Sequence, residues 1–151
     1  NQEQADKRIP ELLRIPARVR FLSIEPQIGP VNLAAIPFKG DAQYYLDVLE
    51  GRYSENPRGG YGTPFCFGLS SLNRINWIII GGESGHSARI FFMDWAYDLI
   101  EQCKAAHVPV FMKQLGSKPI MDNYSYPIKD KKGGDILEWP VELQVREFPN
   151  G

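Results

Sequence analysis

The stretch INWIIIGGESGHSAR, Ile75 to Arg89, decides how the rest of the chain is read. Trp77 to Ile80 is a run of aliphatic and aromatic residues with no polar alternation. That is the pattern of a strand buried on both faces, and such strands belong to parallel sheets covered by helices. The run stops abruptly at Gly81 and Gly82, and Glu83, Ser84, Gly85 and then Arg89 follow. In parallel α/β folds the loops after the carboxyl ends of strands build the ligand site, so the polar, glycine-rich exit marks where chemistry belongs.

Downstream, Trp95, Leu99, Ile100 and Cys103 recur at spacings of three and four, which predicts an amphipathic helix opened by Asp94 as N-cap. It ends near His107, and a third strand starts at about Val108 and runs towards Lys113 and Gln114. Strand, helix and strand in this order form a βαβ unit with a right-handed crossover. Upstream, VRFLSIEP (Val19 to Pro26) reads as a buried strand that ends at Glu25. Gln2 to Ile15 reads as a helix with Ile9, Leu12 and Leu13 on its apolar side and Pro10 as an internal interruption.

Three strand ends then converge on one rim of the sheet: Glu25, the loop Gly81-Gly82-Glu83-Ser84-Gly85, and Lys113-Gln114. Glycines let backbone approach a ligand closely, and exposed N–H groups in such a loop can cradle an anion. Glu83 can accept from a ligand ammonium or hydroxyl, or it can simply cap the turn. Arg89 offers a planar fork to carboxylate or phosphate. Lys113 is either a cation facing the ligand or the ion-pair partner of Glu25 or Glu83. The candidate ligand-binding set is Glu25, Gly81, Gly82, Glu83, Ser84, Arg89, Lys113 and Gln114. Its spacing matches neither a phosphate-binding Walker loop nor the GxGxxG fingerprint, and His86 and His107 lack partners at metal spacing.

Between Gln27 and Asn73 the signals thin into Gly, Pro, Asn and aromatic residues, with a short helix expected from Asp41 to Leu49. Tyr44, Tyr45, Tyr53, Tyr61, Phe65 and Phe67 would pack this excursion onto the body or onto a partner. After Gly116, KDKKGG (Lys129 to Gly134) reads as an exposed, solvated turn. ILEWPVELQVREFP reads as a tail that carries a short edge strand.

The 151 residues suit one domain, and 17 basic against 18 acidic side chains remove any global attraction to a polyanion. No apolar run is long enough to cross a bilayer, and no leader opens the chain, so no membrane partner is expected and the location is read as cytoplasmic. Cys66 and Cys103 lie far apart and read as free thiols. The chain begins Asn-Gln-Glu without an initiator Met, as a piece of a longer polypeptide would.

Taken together, NQEQADKRIPELLRIPARVRFLSIEP (Asn1 to Pro26), INWIIIGGESGHSAR, DWAYDLIEQCKAAHVPVFMKQLG (Asp94 to Gly116) and the closing EFP (Glu147 to Pro149) resemble the C-terminal half of the phage-derived three-Cys-motif proteins. That uncharacterised phage and prophage family is itself similar to radical S-adenosylmethionine enzymes. The resemblance implies a βα barrel with a [4Fe-4S] cluster near its N-terminus. It covers the chain apart from Ile36 to Asn73.

The expected fold is therefore α/β: a partial, half TIM-like barrel of parallel strands in a single domain over residues 1–151, interrupted by a long irregular insertion at 36–73. The resemblance places the candidate set at the mouth that contacts S-adenosylmethionine or substrate. Its N-terminal cysteine motif is absent here, so the chain alone is expected to hold no cofactor and to be catalytically silent. The [4Fe-4S] cluster and S-adenosylmethionine belong to a full-length parent acting on a small-molecule or nucleic-acid-related substrate. The alternative is a non-catalytic module that binds a small ligand or a protein. A half-barrel leaves unpaired strand edges, and a homodimer through them is expected.

Overall fold

The computed structural model describes residues 1–37, 44–54 and 73–149. Helix α1 (Gln2–Leu13) begins at Asn1, whose side-chain oxygen accepts from the Gln4 N–H at 3.2 Å, and buries Ile9, Pro10 and Leu13. Strand β1 (Phe21–Ile24) follows, then a cis Glu25–Pro26 peptide. Strand β5 (Trp77–Gly81), helix α2 (Met93–Ala105) and strand β7 (Val110–Gln114) form the βαβ unit read from the sequence. All three strands are parallel, in the order β1-β5-β7.

Register sets what each face of this sheet carries. Alternate residues point to opposite sides. Ile78, Ile80, Val110 and Met112 are at most 1 % exposed and pack with Met93, Ala96, Leu99, Ile100 and Cys103 of α2. The opposite face carries Phe21, Trp77, Ile79 and Phe111, none of which is fully buried. The expectation that helices cover both faces is thus not met among the described residues, where helix α2 packs on one face only. β1 also fails to be the buried strand expected, because it lies at the sheet edge with Phe21 49 % exposed.

The other edge is closed. The tail pairs antiparallel with β7: the Met112 N–H donates to Val145 O and the Glu147 N–H to Val110 O, both at 2.8 Å. A bridge joins Phe111 to Arg146. This is the short edge strand expected in the tail, reduced to one bridge behind two single-turn 3-10 helices, Ile136–Glu138 and Val141–Leu143.

Two smaller sheets complete the described residues. β2 (Ile36–Pro37), β3 (Tyr45–Asp47) and β4 (Arg52–Ser54) are antiparallel neighbours. The helix expected over Asp41–Leu49 is overturned in its described part, where β3 and a turn stand instead. Tyr45 and Asp47 alternate with buried Leu46, a two-residue period that suits a strand. Tyr61, Phe65, Phe67 and Cys66 lie outside the described residues. β6 (Phe91–Phe92) pairs parallel with β8 (Pro119–Met121), which turns back through Asp122 and Asn123, both at positive φ, into β9 (Tyr124–Ser125). The α2 N-cap is Phe92 rather than Asp94, which sits inside the first turn, where its charge favours the helix dipole.

The chain is an α/β protein of two helices and three small sheets among the described residues, one of the sheets wholly parallel. The parallel sheet is open, and no barrel closes among them.

Among the described glycines, the one with least room for a side chain lies where β5 and β7 end. A Cβ built on Gly82 would collide with the backbone oxygen of Leu115, which cannot swing away as a side-chain tip can. Gly82→Ala is therefore expected to lower the unfolding free energy by about 1–3 kcal/mol, the usual range for overpacking. The readout is a lower urea midpoint at unchanged slope. Exposed Ser84→Ala should move it by less than about 0.5 kcal/mol. Equal midpoints for the two variants would refute the tight junction.

Candidate functional site

The site grows from the open face of the sheet. Alternation along β1 carries Phe21, Ser23 and then Glu25 to that side. Gly81, at the end of β5, has no side chain to occupy the space beside it. A Cβ there would meet Glu25 Oε1 at 2.9 Å, so the glycine makes room for the carboxylate. The register shifts between Ile80 and Gly81, leaving Lys113 as the extra residue on β7. Lys113 Nζ lies 3.2 Å from Glu25 Oε1, and Ser23 Oγ donates to Glu25 Oε2 at 2.9 Å. The Lys113 side chain is 56 % exposed and that of Glu25 19 %, so the carboxylate is the recessed partner and the ammonium the wet one.

The loop after β5 is held from below. The Gly82 N–H donates to Gln114 O at 2.9 Å, and the Gln114 amide returns a bond to Gly82 O at 2.9 Å. The Ser117 N–H donates to Glu83 O at 2.8 Å, and the Gly85 N–H donates to Ser117 Oγ at 3.0 Å. Ser117 Oγ in turn donates to Lys131 O at 2.6 Å. Gly82 and Gly85 thus spend their N–H groups inside the protein rather than offering them to an anion.

Glu83 and Arg89 close the same loop. Glu83 Oε2 accepts from the Arg89 backbone N–H at 3.0 Å and from Arg89 Nε at 2.7 Å. The hydrogen bond from the Arg89 side chain holds the Glu83 carboxyl below its ordinary range, and the same bond raises the guanidinium. Ser84 is exposed.

The eight candidates therefore fall into distinct groups. Glu25, Gly81 and Lys113 meet on the open face. Gly82 and Gln114 form the backbone junction, and Glu83 and Arg89 pair with each other. Arg89 nevertheless reaches the same groove as Glu25, a cavity of about 510 Å³ between α1 and β1 that Arg8, Ser23, Phe21 and Ile28 also line.

Other residues around the site were missed in the sequence. Ser23 was legible, since it stands two residues before Glu25 on the same face. Asp130 was not: its carboxylate accepts from the Lys132 N–H at 3.2 Å and the Gly134 N–H at 2.6 Å, and these bonds, that of Lys132 first, lower its pKa. They turn a lysine-rich run into an ordered turn pinned against the strand ends. Gln27 is 1 % exposed and donates to Trp95 O at 3.1 Å, while its Oε1 is buried without a partner. Cys103 is buried in the core, and burial pushes its thiol up to about 12, so it is a poor nucleophile and ligand near neutrality.

The family model described as "Protein of unknown function (DUF5131)" matches residues 1–140. The chain belongs to the DUF5131 family. No curated protein and no solved structure matches it. No helix among the described residues of this DUF5131 chain is long and apolar enough to cross a membrane.

The Glu83–Arg89 pair carries a pH signature. A carboxyl lowered on folding contributes stability that is present above its unfolded value, near 4.5, and is lost as pH falls through the lower folded value. Wild type should therefore melt above Glu83→Gln at neutral pH, and the gap should close as the pH falls below the unfolded value, near 4.5. A gap that widens on acidification would contradict the pairing.

Proposed function

We propose that this DUF5131 chain is the substrate-side part of a radical-SAM-like βα barrel of phage origin, which holds a small ligand at the carboxyl ends of its parallel strands. The observation that carries this reading is the zoning of the uncovered sheet face. At the amino ends of the strands stands a floor of rings: the Trp77 centroid lies 5.7 Å from Phe21, 6.3 Å from Phe111 and 5.6 Å from Phe148. Ser23 and Ile79 form a middle layer, and Glu25, Gly81 and Lys113 the rim. A face that is apolar below and charged above suits the interior of a barrel, where a packed core lies beneath a polar mouth at the carboxyl ends of the strands.

This chain does not fit the iron-sulfur cluster. A cluster of that type needs several thiolates, and the chain has two cysteines, of which Cys103 is buried with its thiol held protonated. Among the described residues no three His, Cys, Asp or Glu side chains are grouped to hold a metal. Cluster ligands would have to come from other polypeptide, and the residues present serve to bind and orient. Glu25 accepts an ammonium or hydroxyl donor, and Lys113 and Arg89 face an anionic group.

The second reading, a non-catalytic binding module, draws on the internal pairing of Glu83 with Arg89 and of Glu25 with Lys113. Groups so engaged serve reversible ligand exchange without any reaction.

An anaerobic iron and sulfide assay with a visible spectrum separates the two, run on a longer polypeptide that carries this sequence beside the chain alone. A cluster in the longer protein only is expected. A cluster in neither removes the radical chemistry and leaves the binding module.

A further inference from the structure

The groove of about 510 Å³ between α1 and β1 holds an uneven set of charges. Its lining, all of it among the described residues, includes two guanidinium groups, Arg8 and Arg89, and one carboxylate, Glu25. That carboxylate is already met by Lys113 Nζ at 3.2 Å and by Ser23 Oγ at 2.9 Å. The arginines are less committed. Arg89 reaches Glu83 through Nε, and no ion pair or hydrogen bond among the described residues engages the exposed Arg8 side chain. An anionic group entering the groove therefore meets a surplus of positive charge.

The helix accounts for where Arg8 stands. Residues four apart on a helix share a face, and Gln4 and Arg8 line the groove together, with the small Ala5 beside them. Lys7 and Glu3, which pair with each other at 2.7 Å, are not part of the lining. Across from this polar wall stand Phe21, Leu22, Ile24 and Ile28. A concave, largely apolar space of this volume with a few polar groups is of the kind that takes a small molecule.

We propose that the groove binds a small amphipathic anion, a carboxylate or phosphate carried on an apolar body, with Arg8 and Arg89 holding the head group and the β1 side receiving the body. A guanidinium presents a planar fork that matches either head group. The Glu25–Lys113 pair can stay closed while such a ligand binds, because neither of its members is needed for the head group. This deepens the binding role proposed above and rests on the ligand reading of this end of the sheet, but not on radical chemistry. A chain that binds no anion can still belong to a cluster-bearing protein, so this inference and the iron-sulfur reading fail separately.

Calorimetric titration of the chain with octanoate and octyl phosphate, beside octylammonium, tests it at concentrations where all three are monomeric. At least one of the two anions is expected to bind at a single site, and the cation is expected not to. Arg8→Gln should weaken the anion about tenfold, the loss of a charge-assisted hydrogen bond, and should leave thermal melting unchanged. Ile28→Glu adds a carboxylate to the groove at a side chain already 37 % exposed, so the fold should persist by circular dichroism while the anion again binds more weakly. Lys7→Gln, one residue along α1 but outside the lining, should bind as wild type does. The proposal is overturned if neither anion binds, if octylammonium binds as well as they do, if Arg8→Gln leaves the affinity unchanged, or if Lys7→Gln lowers it as much.

Discussion

Where β5 and β7 end, backbone meets backbone with almost no side chain between. Gly82 lies against Leu115, and Gly116, at φ 79°, has no room for a Cβ, which would sit 2.5 Å from Glu83 O. Because the two chains approach so closely, Gly82 and Gln114 can exchange both of their hydrogen bonds, and the ladder must absorb an extra residue just before them. That residue is Lys113, which is how a lysine comes to stand over Glu25. The junction extends further, since the Leu115 N–H donates to Gly133 O at 2.8 Å and Trp139 Nε1 donates to the same oxygen at 3.0 Å. Trp139 in turn underlies the Arg146 guanidinium, 5.3 Å from its ring centroid, at the point where the tail reaches β7. One steric constraint therefore sets the rim charge, the loop and the closed edge.

The same arrangement leaves the sheet unequal. Its helix-covered face holds the core and its other face is only half-buried; among the described residues its β7 edge is paired and its β1 edge is not. Three strands are few for an independent parallel sheet, whose strands ordinarily need cover on both faces. The aromatic floor is a partial answer. Phe148 stacks near Trp77 and Phe111, and Trp77 Nε1 donates to Glu147 O at 2.9 Å, so the tail covers part of what helices do not. Among the described residues nothing equivalent lies over β1, where Phe21 stays half-exposed.

How much of this was legible in the sequence depended on whether the deciding contacts were local. The βαβ unit was legible because Trp77 to Ile80 and the Trp95–Cys103 stripe each carry their own periodicity. The importance of Gly81 and Gly82 was legible too, but their reason was not. Glycines opening a loop look the same whether they admit a ligand or admit Leu115, and the partner is more than thirty residues away. β1 misled for a related cause: FLSI reads as buried wherever it stands, and whether it lies at an edge depends on strand order. Asp94 looked like a cap because acidic residues favour both the cap and the first turn, and only the backbone distinguishes them. Asp47 belongs to the same class, since its carboxyl, raised chiefly by burial, organises a turn that was expected to be helix.

The rim is held by pairs that separate at little cost. Exposed ion pairs typically contribute no more than about 1 kcal/mol, because water competes for both partners. Lys113 is more than half exposed, so separating it from Glu25 costs little, and a ligand bringing a donor and an acceptor restores both interactions. A ligand that brought only one sign would leave the other group without its partner. Arg89 differs, because its bond to Glu83 also shapes the loop through its own backbone N–H, and displacing the guanidinium still leaves that N–H on Glu83. The loop can hold its form while the arginine turns into the groove. The paired charges thus keep the rim ordered while holding it by an interaction that water can replace.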